Sequence, residues 1–144
     1  MALQSPRLLI TDDDADFRET LRLTFEPRGL RTLLAGDGEE ALRIVRSEEI
    51  HLVLLDMHMP KLTGLETLRL LKQFREMLPC ILMSARLDEL IIEQARRAQA
   101  FAILPKPMTL KQVTGEVEHA LEATYHWNFG GRLGPWRPQF GSEQ

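Results

Sequence analysis

Short apolar runs alternate along the chain with longer stretches in which apolar residues recur every three or four positions. Apolar runs of about four to eight residues are typical of strands covered on both faces, whereas the longer spacing is typical of helices with one buried side. Glycine and proline fall between most of these segments and mark turns. The pattern predicts strands over residues 7–11, 30–34, 51–55, 79–83 and 101–104, and helices over residues 15–25, 39–46, 65–74, 87–98 and 110–123.

The repeated order of strand and helix predicts the fold class. It is typical of an α/β fold in which an open, doubly wound parallel sheet of five strands carries helices on both faces. The segment His51–Leu55 is nearly all apolar, as a central parallel strand should be. Ligands of such sheets bind beside the carboxyl ends of the strands, so functional residues are expected there.

The predicted helix over residues 87–98 carries an apolar stripe of Leu87, Leu90, Ile91 and Ala95 at helical spacing. This stripe is expected to face the core, as in most amphipathic helices. Ile92 lies off the stripe, and an exposed isoleucine there would offer an apolar contact to a partner protein.

The composition changes after residue 123. Between residues 124 and 144, aromatic residues are interleaved with glycine and proline without any period, which predicts an irregular segment. We therefore divide the chain into one domain over residues 1–123 and a C-terminal tail over residues 124–144. A fully disordered tail usually lacks aromatic residues, so this one is expected to pack on the domain or on a partner.

Composition and charge narrow the class of protein. The 144 residues include 18 Lys and Arg and 21 Asp and Glu, which gives a net charge of −3. This charge does not indicate a basic surface for binding nucleic acid. No apolar run approaches the ~18 residues that a membrane span needs, and residues 1–7 lack the pattern of a signal peptide. The single cysteine, Cys80, cannot form an internal disulfide, which suits a reducing compartment. A cytoplasmic protein without direct contact to nucleic acid or membrane is expected.

Polar residues of related chemistry follow four of the five predicted strands. If the first and third strands are neighbours, their carboxylates converge, and two carboxylates ~5 Å apart repel by roughly 3 kcal/mol at an effective dielectric constant of about 20. A cation relieves this repulsion, and an oxygen ligand set without Cys or His suits Mg²⁺. The residues are Asp12–Asp14 after the first strand, Asp56 after the third, Ser84 after the fourth and Lys106 after the fifth.

Carboxylate, divalent cation, lysine and hydroxyl together suit phosphoryl transfer, which depends on charge neutralisation and alignment. The segments that carry them resemble the receiver domain of bacterial response regulators, in order and at the family's spacing, from about Arg7 to Ala123. The resemblance implies a flavodoxin-like strand order 2-1-3-4-5. The matching segments are Leu8–Asp14, Gly38–Leu42, Leu54–Pro60 with Gly64, Ile81–Ala85 and Leu104–Pro107.

The resemblance implies that Asp56 accepts a phosphoryl group from a phosphohistidine on a partner. Ser84 and Lys106 are expected to bind the phosphoryl oxygens. The peptide bond between Lys106 and Pro107 is expected to be cis, as it is in the family.

The resemblance also implies a cofactor and partners. Mg²⁺ is expected to be held by Asp12, Asp13, Asp56 and the main-chain carbonyl of His58. The expected donor is a sensor histidine kinase or a histidine phosphotransfer protein, and the expected target is a downstream protein or output domain. The chain is then no enzyme beyond phosphorylating and dephosphorylating itself, and it is a monomer or a dimer linked to phosphorylation.

This sequence departs from the family pattern at several positions. The family's switch combines the hydroxyl of Ser84 with an aromatic residue three positions before the lysine, where this chain has Ile103. Phe101 lies two residues earlier and is expected on the same strand face. His58 and Arg86 occupy the positions two after Asp56 and two after Ser84, where the family tunes the lifetime of the phosphate.

Two other functions remain open. In a haloacid-dehalogenase-like phosphatase, Asp12 would be the nucleophile and Asp14 the acid–base. That interpretation lacks a further acidic pair after the lysine and leaves the segment Asp56–Pro60 unexplained. The other is a docking module that works without phosphorylation, against which the complete set of site residues argues.

Overall fold

The computed structural model describes residues 5–127 and 129, which form five strands and five helices in alternation. A short 3-10 turn over Glu26–Arg28 follows the first helix. The elements are β1 (Arg7–Thr11), α1 (Ala15–Phe25), β2 (Arg31–Ala35), α2 (Gly38–Ser47), β3 (Leu52–Asp56), α3 (Gly64–Phe74), β4 (Cys80–Ser84), α4 (Glu89–Arg97), β5 (Ala102–Pro105) and α5 (Leu110–Tyr125).

All five strands are parallel and lie in the order β2-β1-β3-β4-β5, which confirms the predicted topology. Every residue of the central strand β3 is buried, as its apolar sequence predicts. The order places the carboxyl end of β3 between the ends of β1 and β4. Residues that follow these three strands are therefore brought to one edge of the sheet.

Helices cover both faces of the sheet. One core cluster joins the sheet to α1 and α5 and contains Leu54, Phe25 and Val117. The other joins it to α2, α3 and α4 and contains Leu55 and Leu71. Neighbouring residues of β3 enter opposite clusters because side chains alternate along a strand. Each such side chain, when fully buried, stabilises the fold by roughly 1.5–3 kcal/mol.

Side chains just ahead of the helices fix where the helices begin. The Asp14 carboxylate accepts hydrogen bonds from the main-chain N–H groups of Asp16 and Phe17, so α1 begins at the predicted residue. Thr63 and Glu66 form a reciprocal capping box at α3. Each cap satisfies amides that have no partner within the helix, and removal of one costs about 1 kcal/mol.

The strands β2 to β5 each begin and end one residue later than the pattern predicts. The predicted strand ends follow from the pattern of apolar residues, whereas the observed ends are set by pairing between strands. The polar residue Asp56 still pairs with Met83 in the ladder, and the polar residue Ser84 pairs with Pro105. The two polar residues are thus the last residues of their strands and are held by them.

The expectation that Leu87 and Leu90 face the core is wrong. α4 begins only after Asp88, whose carboxylate accepts the main-chain N–H of Ile91 at 2.9 Å. Leu87 therefore precedes the helix and is 39% exposed, while Leu90 is 66% exposed. Ile91 and Ile92 are partly buried and pack against the core on the α2–α4 side.

The last helix extends two residues beyond its predicted end, to Tyr125. His126 follows in the left-handed conformation, with φ 63°. The Tyr125 ring stacks on Trp127 at 4.5 Å between centroids, and its hydroxyl donates a hydrogen bond to the main-chain oxygen of His51 at 2.7 Å. The His51 Nδ1 accepts the main-chain N–H of Arg7 at 2.9 Å, so this cluster joins the starts of β1 and β3 to the end of α5.

Phe129 is 3% exposed and packs against the core on the α1–α5 side. Residues 130–144 of the predicted irregular tail lie outside the described part of the chain. The division into residues 1–123 and 124–144 therefore stays a prediction. Among the described residues, no helix has the length and apolar character that crossing a membrane requires.

We predict that Gly64→Ala destabilises the fold by about 1–3 kcal/mol, because an added methyl group would overpack the start of α3. A Cβ at position 64 would lie 2.8 Å from the Cα of Met57, which is main chain and cannot rotate away. The Gly64 N–H also donates to the Met57 carbonyl at 2.9 Å. The free energy of unfolding from urea titration measures the loss.

Gly36→Ala is the matched control, since the nearest atoms to a Cβ there belong to the ends of two flexible side chains, the Arg18 guanidinium at 3.5 Å and the Glu40 carboxylate at 3.7 Å. Equal stability of the two variants would contradict the close packing at Gly64.

Candidate functional site

Three carboxylates meet at the carboxyl edge of the sheet. Asp12 follows β1, and Asp56 ends the neighbouring strand β3, as the strand order requires. One oxygen from each of Asp12, Asp13 and Asp56 lies within 4.8 Å of the others. Asp12 is fully buried and Asp56 is 4% exposed, whereas Asp13 is exposed. The predicted convergence of these acidic residues is therefore present in the structure.

Asp12 is held firmly from several sides. Its Oδ1 accepts the main-chain N–H of Asp14 at 2.9 Å, and its Oδ2 accepts a hydrogen bond from the Lys106 ammonium at 2.7 Å. The Arg18 guanidinium donates to the Asp12 main-chain oxygen at 2.6 Å. Both carboxylate oxygens thus have donors, which offsets the cost of burying the charge.

The lysine reaches the site from the end of β5. The Lys106 N–H donates to the Ser84 carbonyl at 2.8 Å, and the bond from Lys106 to Pro107 is cis, as expected. The ammonium lies 3.5 Å from Asp56 Oδ1, in addition to its bond with Asp12. The ring of Phe17 lies under it, with 4.5 Å from Nζ to the ring centroid. This cation–π contact and the carboxylates hold the charge in place.

The pKa values follow from burial and from these neighbours. Burial raises the pKa of the Asp56 carboxyl, and the charge of Asp12 raises it further, while Lys106 lowers it only in part. Burial lowers the pKa of the Lys106 ammonium, but the hydrogen bond and charge of Asp12 outweigh this and leave it raised overall. The charge of Asp56 is thus compensated only in part, and a further cation beside it would stabilise its ionised form.

The donor set fits a hard divalent cation. One carboxylate oxygen from each of Asp12, Asp13 and Asp56 lies within 4.8 Å of the other two, and this group contains no Cys or His. Mg²⁺ binds through a few carboxylates and keeps several waters, which the exposure of Asp13 allows. The expected contribution of the His58 main-chain carbonyl stays a prediction.

The hydroxyl of Ser84 is engaged by its own loop. It donates to the Arg86 carbonyl at 2.7 Å and accepts the Arg86 N–H at 3.1 Å. The His58 Nε2 lies 3.5 Å from the same oxygen, and the His58 N–H donates to Asp56 Oδ1 at 3.4 Å. Ser84 therefore lies at the predicted edge of the sheet, with its hydroxyl bound to the main chain of the loop after β4.

The expected shared face of Ile103 and Phe101 is wrong. Ile103 is 2% exposed and belongs to the core on the α2–α4 side. Phe101 packs on the α1–α5 side, where its ring meets His119 edge-on at 5.0 Å. Phe101 precedes β5, which begins at Ala102, so the two-residue alternation of a strand does not extend to it. Phe101 thus does not replace the missing aromatic residue of the switch.

Arg86 occupies its predicted loop, but its guanidinium pairs with Asp88 at 3.2 Å and is 73% exposed. The part of Arg86 that contacts the site is its main chain, through the hydroxyl of Ser84. An effect of the Arg86 side chain on phosphate lifetime stays a prediction.

Two residues of α1 take part in the site without having been predicted there. Phe17 contacts the Lys106 ammonium, and Arg18 donates to the main chain of Asp12. Phe17 is also partly buried and packs against the core on the α1–α5 side. The contact between Phe17 and Lys106 joins residues nearly ninety positions apart along the chain, so a local sequence pattern cannot predict it.

The comparisons with known proteins identify the family of this chain. A family model described as "Response regulator receiver domain" matches residues 8–118. Response regulator MprA of Mycolicibacterium vanbaalenii is 36% identical over 120 residues, which cover 82% of this chain and 51% of that protein. Transcriptional regulatory protein CpxR of Escherichia coli K12 is 33% identical over 122 residues, covering 85% of this chain and 51% of that protein. The chain thus spans about half the length of these curated relatives.

Solved structures share the fold. A CheY-like receiver domain protein from Methanospirillum hungatei superposes with a TM-score of 0.82 at 22% identity, over 85% of this chain and 98% of that one. A receiver domain protein from Clostridium thermocellum has a TM-score of 0.77 at 27% identity, over 82% and 95%. The family model and the curated relatives favour a signalling role over the phosphatase alternative. With its acidic edge, its lysine after β5 and a family match over most of its length, the chain belongs to the receiver domains of two-component response regulators.

Proposed function

We propose that Asp56 is the phosphoryl acceptor of this receiver domain. The observation that carries the proposal is the position of Asp56 at the end of the central strand, with Asp12 and Asp13 oxygens within 4.8 Å and the Lys106 ammonium at 3.5 Å. Asp12 is a poorer nucleophile, because it is fully buried and its oxygens already accept bonds from Asp14 and Lys106. Asp56 has the weaker contacts of the two.

The proposed donor is a phosphohistidine of a sensor histidine kinase or of a histidine phosphotransfer protein. An Asp56 oxygen attacks the phosphorus in line, the phosphorus–nitrogen bond breaks, and the imidazole leaves with its electron pair. Lys106 balances the charge on the phosphoryl oxygens, and Asp12 holds Lys106 in position through the bond at 2.7 Å. The product is an acyl phosphate on Asp56.

We propose Mg²⁺ as the cofactor, held by Asp12, Asp13, Asp56 and the main-chain carbonyl of His58. When bound, Mg²⁺ neutralises carboxylate charge and orients the phosphoryl oxygens for transfer. The exposed Asp13 carboxylate keeps the cation reachable from solvent and from the donor.

The proposed switch begins at Ser84. An acyl phosphate on Asp56 offers the Ser84 hydroxyl a charged acceptor, which is stronger than the neutral Arg86 carbonyl that it contacts here. Exchange of that bond moves the loop after β4 and biases α4 and β5 toward a second arrangement. At Ile103 the accompanying change is one of aliphatic packing, and His58 and Arg86 adjust how long the phosphate persists.

The proposed output is contact with another protein or an output domain through α4, β5 and α5. The exposed Leu87 and Leu90 at the start of α4 offer apolar surface for such a contact. The chain works as a monomer or as a dimer linked to phosphorylation, and contacts neither nucleic acid nor membrane itself.

We expect incubation with acetyl phosphate and Mg²⁺ to label Asp56 and no other residue. Asp56→Asn should abolish the label, because the amide is not a nucleophile, whereas Asp16→Asn in the exposed first turn of α1 should leave it unchanged. Intact mass and mapping of the modified peptide give the result. Label on Asp12 would instead support the phosphatase.

Mg²⁺ is expected to stabilise the folded protein, since the cation binds the folded state alone. The gain is roughly 2.7 kcal/mol when free Mg²⁺ exceeds its Kd about 100-fold. Asp13→Asn removes one ligand and should reduce the gain, while Asp16→Asn should keep it. Thermal unfolding with and without Mg²⁺ measures both. A melting temperature that does not change on addition of Mg²⁺ and beryllofluoride would favour the docking module.

Without Mg²⁺, Asp56→Asn is expected to stabilise the fold by on the order of 1 kcal/mol at pH 7. Burial and Asp12 raise the pKa of Asp56, so just above its unfolded pKa the folded state binds more protons than the unfolded state. Stability contributed by Asp56 therefore falls as the pH rises through the interval from its unfolded to its raised pKa. Urea titrations at several pH values in chelator measure this. A clear loss of stability in the variant at pH 7 would contradict the crowded acidic pocket.

A further inference from the structure

The position of the Lys106 ammonium depends on its neighbours, because the side chain that carries it is long and flexible. A lysine has a compact charge on a flexible four-carbon stem, so the groups around it decide where the charge lies. Asp12 Oδ2 lies 2.7 Å from the ammonium, and Asp56 Oδ1 lies 3.5 Å from it. The ammonium is therefore nearer to Asp12 than to the proposed phosphoryl acceptor.

A further attraction comes from the aromatic ring of Phe17. The ring centroid lies 4.5 Å from the Lys106 Nζ, inside the range of roughly 6 Å over which a ring face attracts a cation. The Lys106 side chain is only 23% exposed, and partial shielding from water strengthens such a contact. Phe17 thus attracts the ammonium from α1, whereas the two carboxylates attract it from the ends of β1 and β3.

The surroundings of Phe17 hold its ring in place. The Phe17 N–H donates to the Asp14 carboxylate at 3.2 Å, within the cap that begins α1, and the side chain packs against the core on the α1–α5 side. The next residue, Arg18, donates to the Asp12 main-chain oxygen at 2.6 Å. The first turn of α1 is therefore bonded to the main chain of Asp12, which fixes the ring relative to the acidic pocket.

An aromatic ring suits this position better than another carboxylate or an amide oxygen would. An ammonium has three N–H donors, and each anion or carbonyl that it bonds to takes one of them. A ring face attracts the charge as a whole, so it leaves the N–H groups to Asp12, Asp56 and a phosphoryl oxygen. The ring also brings no net negative charge that would repel a phosphoryl group.

We propose that Phe17 is a positioning residue for phosphoryl transfer to Asp56, because its ring holds the Lys106 ammonium where an N–H can reach a phosphoryl oxygen. The proposal rests on the proposed acceptor role of Asp56 and goes beyond it, since it makes the rate of transfer depend on the ring of Phe17. Charges that are in place before a reaction need no reorganisation during it. Without the ring, the ammonium is free to move toward Asp12 or into water.

The test compares Phe17→Leu with Phe17→Tyr in the full chain. Leucine keeps an apolar side chain against the core but has no ring face, whereas tyrosine keeps both. With acetyl phosphate and saturating Mg²⁺, labelling of Asp56 should be about three- to tenfold slower in Phe17→Leu, as loss of a cation–π contact predicts. Phe17→Tyr should keep the rate of the parent chain. So should the control Leu23→Ala, which changes a 59% exposed residue of α1. Intact mass against time measures the rates.

Fluorinated phenylalanines at position 17 separate the charge of the ring face from its shape. Fluorine withdraws negative charge from the ring face and changes the size of the ring little. The labelling rate should therefore fall stepwise from phenylalanine to a difluoro ring and then to a pentafluoro ring. Circular dichroism and the affinity for Mg²⁺ should stay constant across the series.

Two results would overturn the positioning role of Phe17. One is labelling of Phe17→Leu as fast as that of the parent chain. The other is an equal rate for all rings of the fluorinated series, which would leave packing as the only role of the ring. Failure of the acceptor role is distinguishable from both, because the parent chain itself would then carry no label on Asp56, and the role of Phe17 would fall with it.

Discussion

The ion pair between Lys106 and Asp12 is the interaction on which the rest of the site depends. Three carboxylates with oxygens within 4.8 Å of one another cannot all stay charged in a partly dry pocket without positive charge among them. Lys106 supplies that charge at 2.7 Å from Asp12 and 3.5 Å from Asp56. Lys106 follows β5 and Asp12 follows β1, so the contact depends on the pairing of the four strands β1, β3, β4 and β5.

This arrangement divides the three acidic residues by environment. Asp12 is fully buried and bonded on both oxygens, so it serves to hold the lysine. Asp13 is exposed and open to solvent. Asp56 lies between these extremes, 4% exposed, with long contacts to Lys106 and the His58 amide. One chemical group thus lies in three environments, because burial and hydrogen bonding differ over a few ångströms.

The sequence predicts the sheet, its strand order and the convergence of Asp12, Asp13, Asp56 and Lys106 because these follow from periodicity and from family motifs. The sequence does not predict the features that are set by contacts between distant segments. The one-residue shift of the strands β2 to β5 comes from ladder pairing. Leu90 is exposed in the first turn of α4, beside the Asp88 cap. The positions of Phe17 under the lysine and of Phe101 on the α1–α5 side are also tertiary effects.

The ring cluster of His51, Tyr125 and Trp127 has a consequence for how this domain can be joined to anything else. The cluster ties the start of β1, through the Arg7 amide, to the end of α5. Both points lie at the amino ends of the parallel strands, opposite the edge that carries Asp56. A tag, fluorophore or neighbouring domain fused just outside these points is anchored at the base of the sheet and leaves the approach of a phosphoryl donor sterically clear.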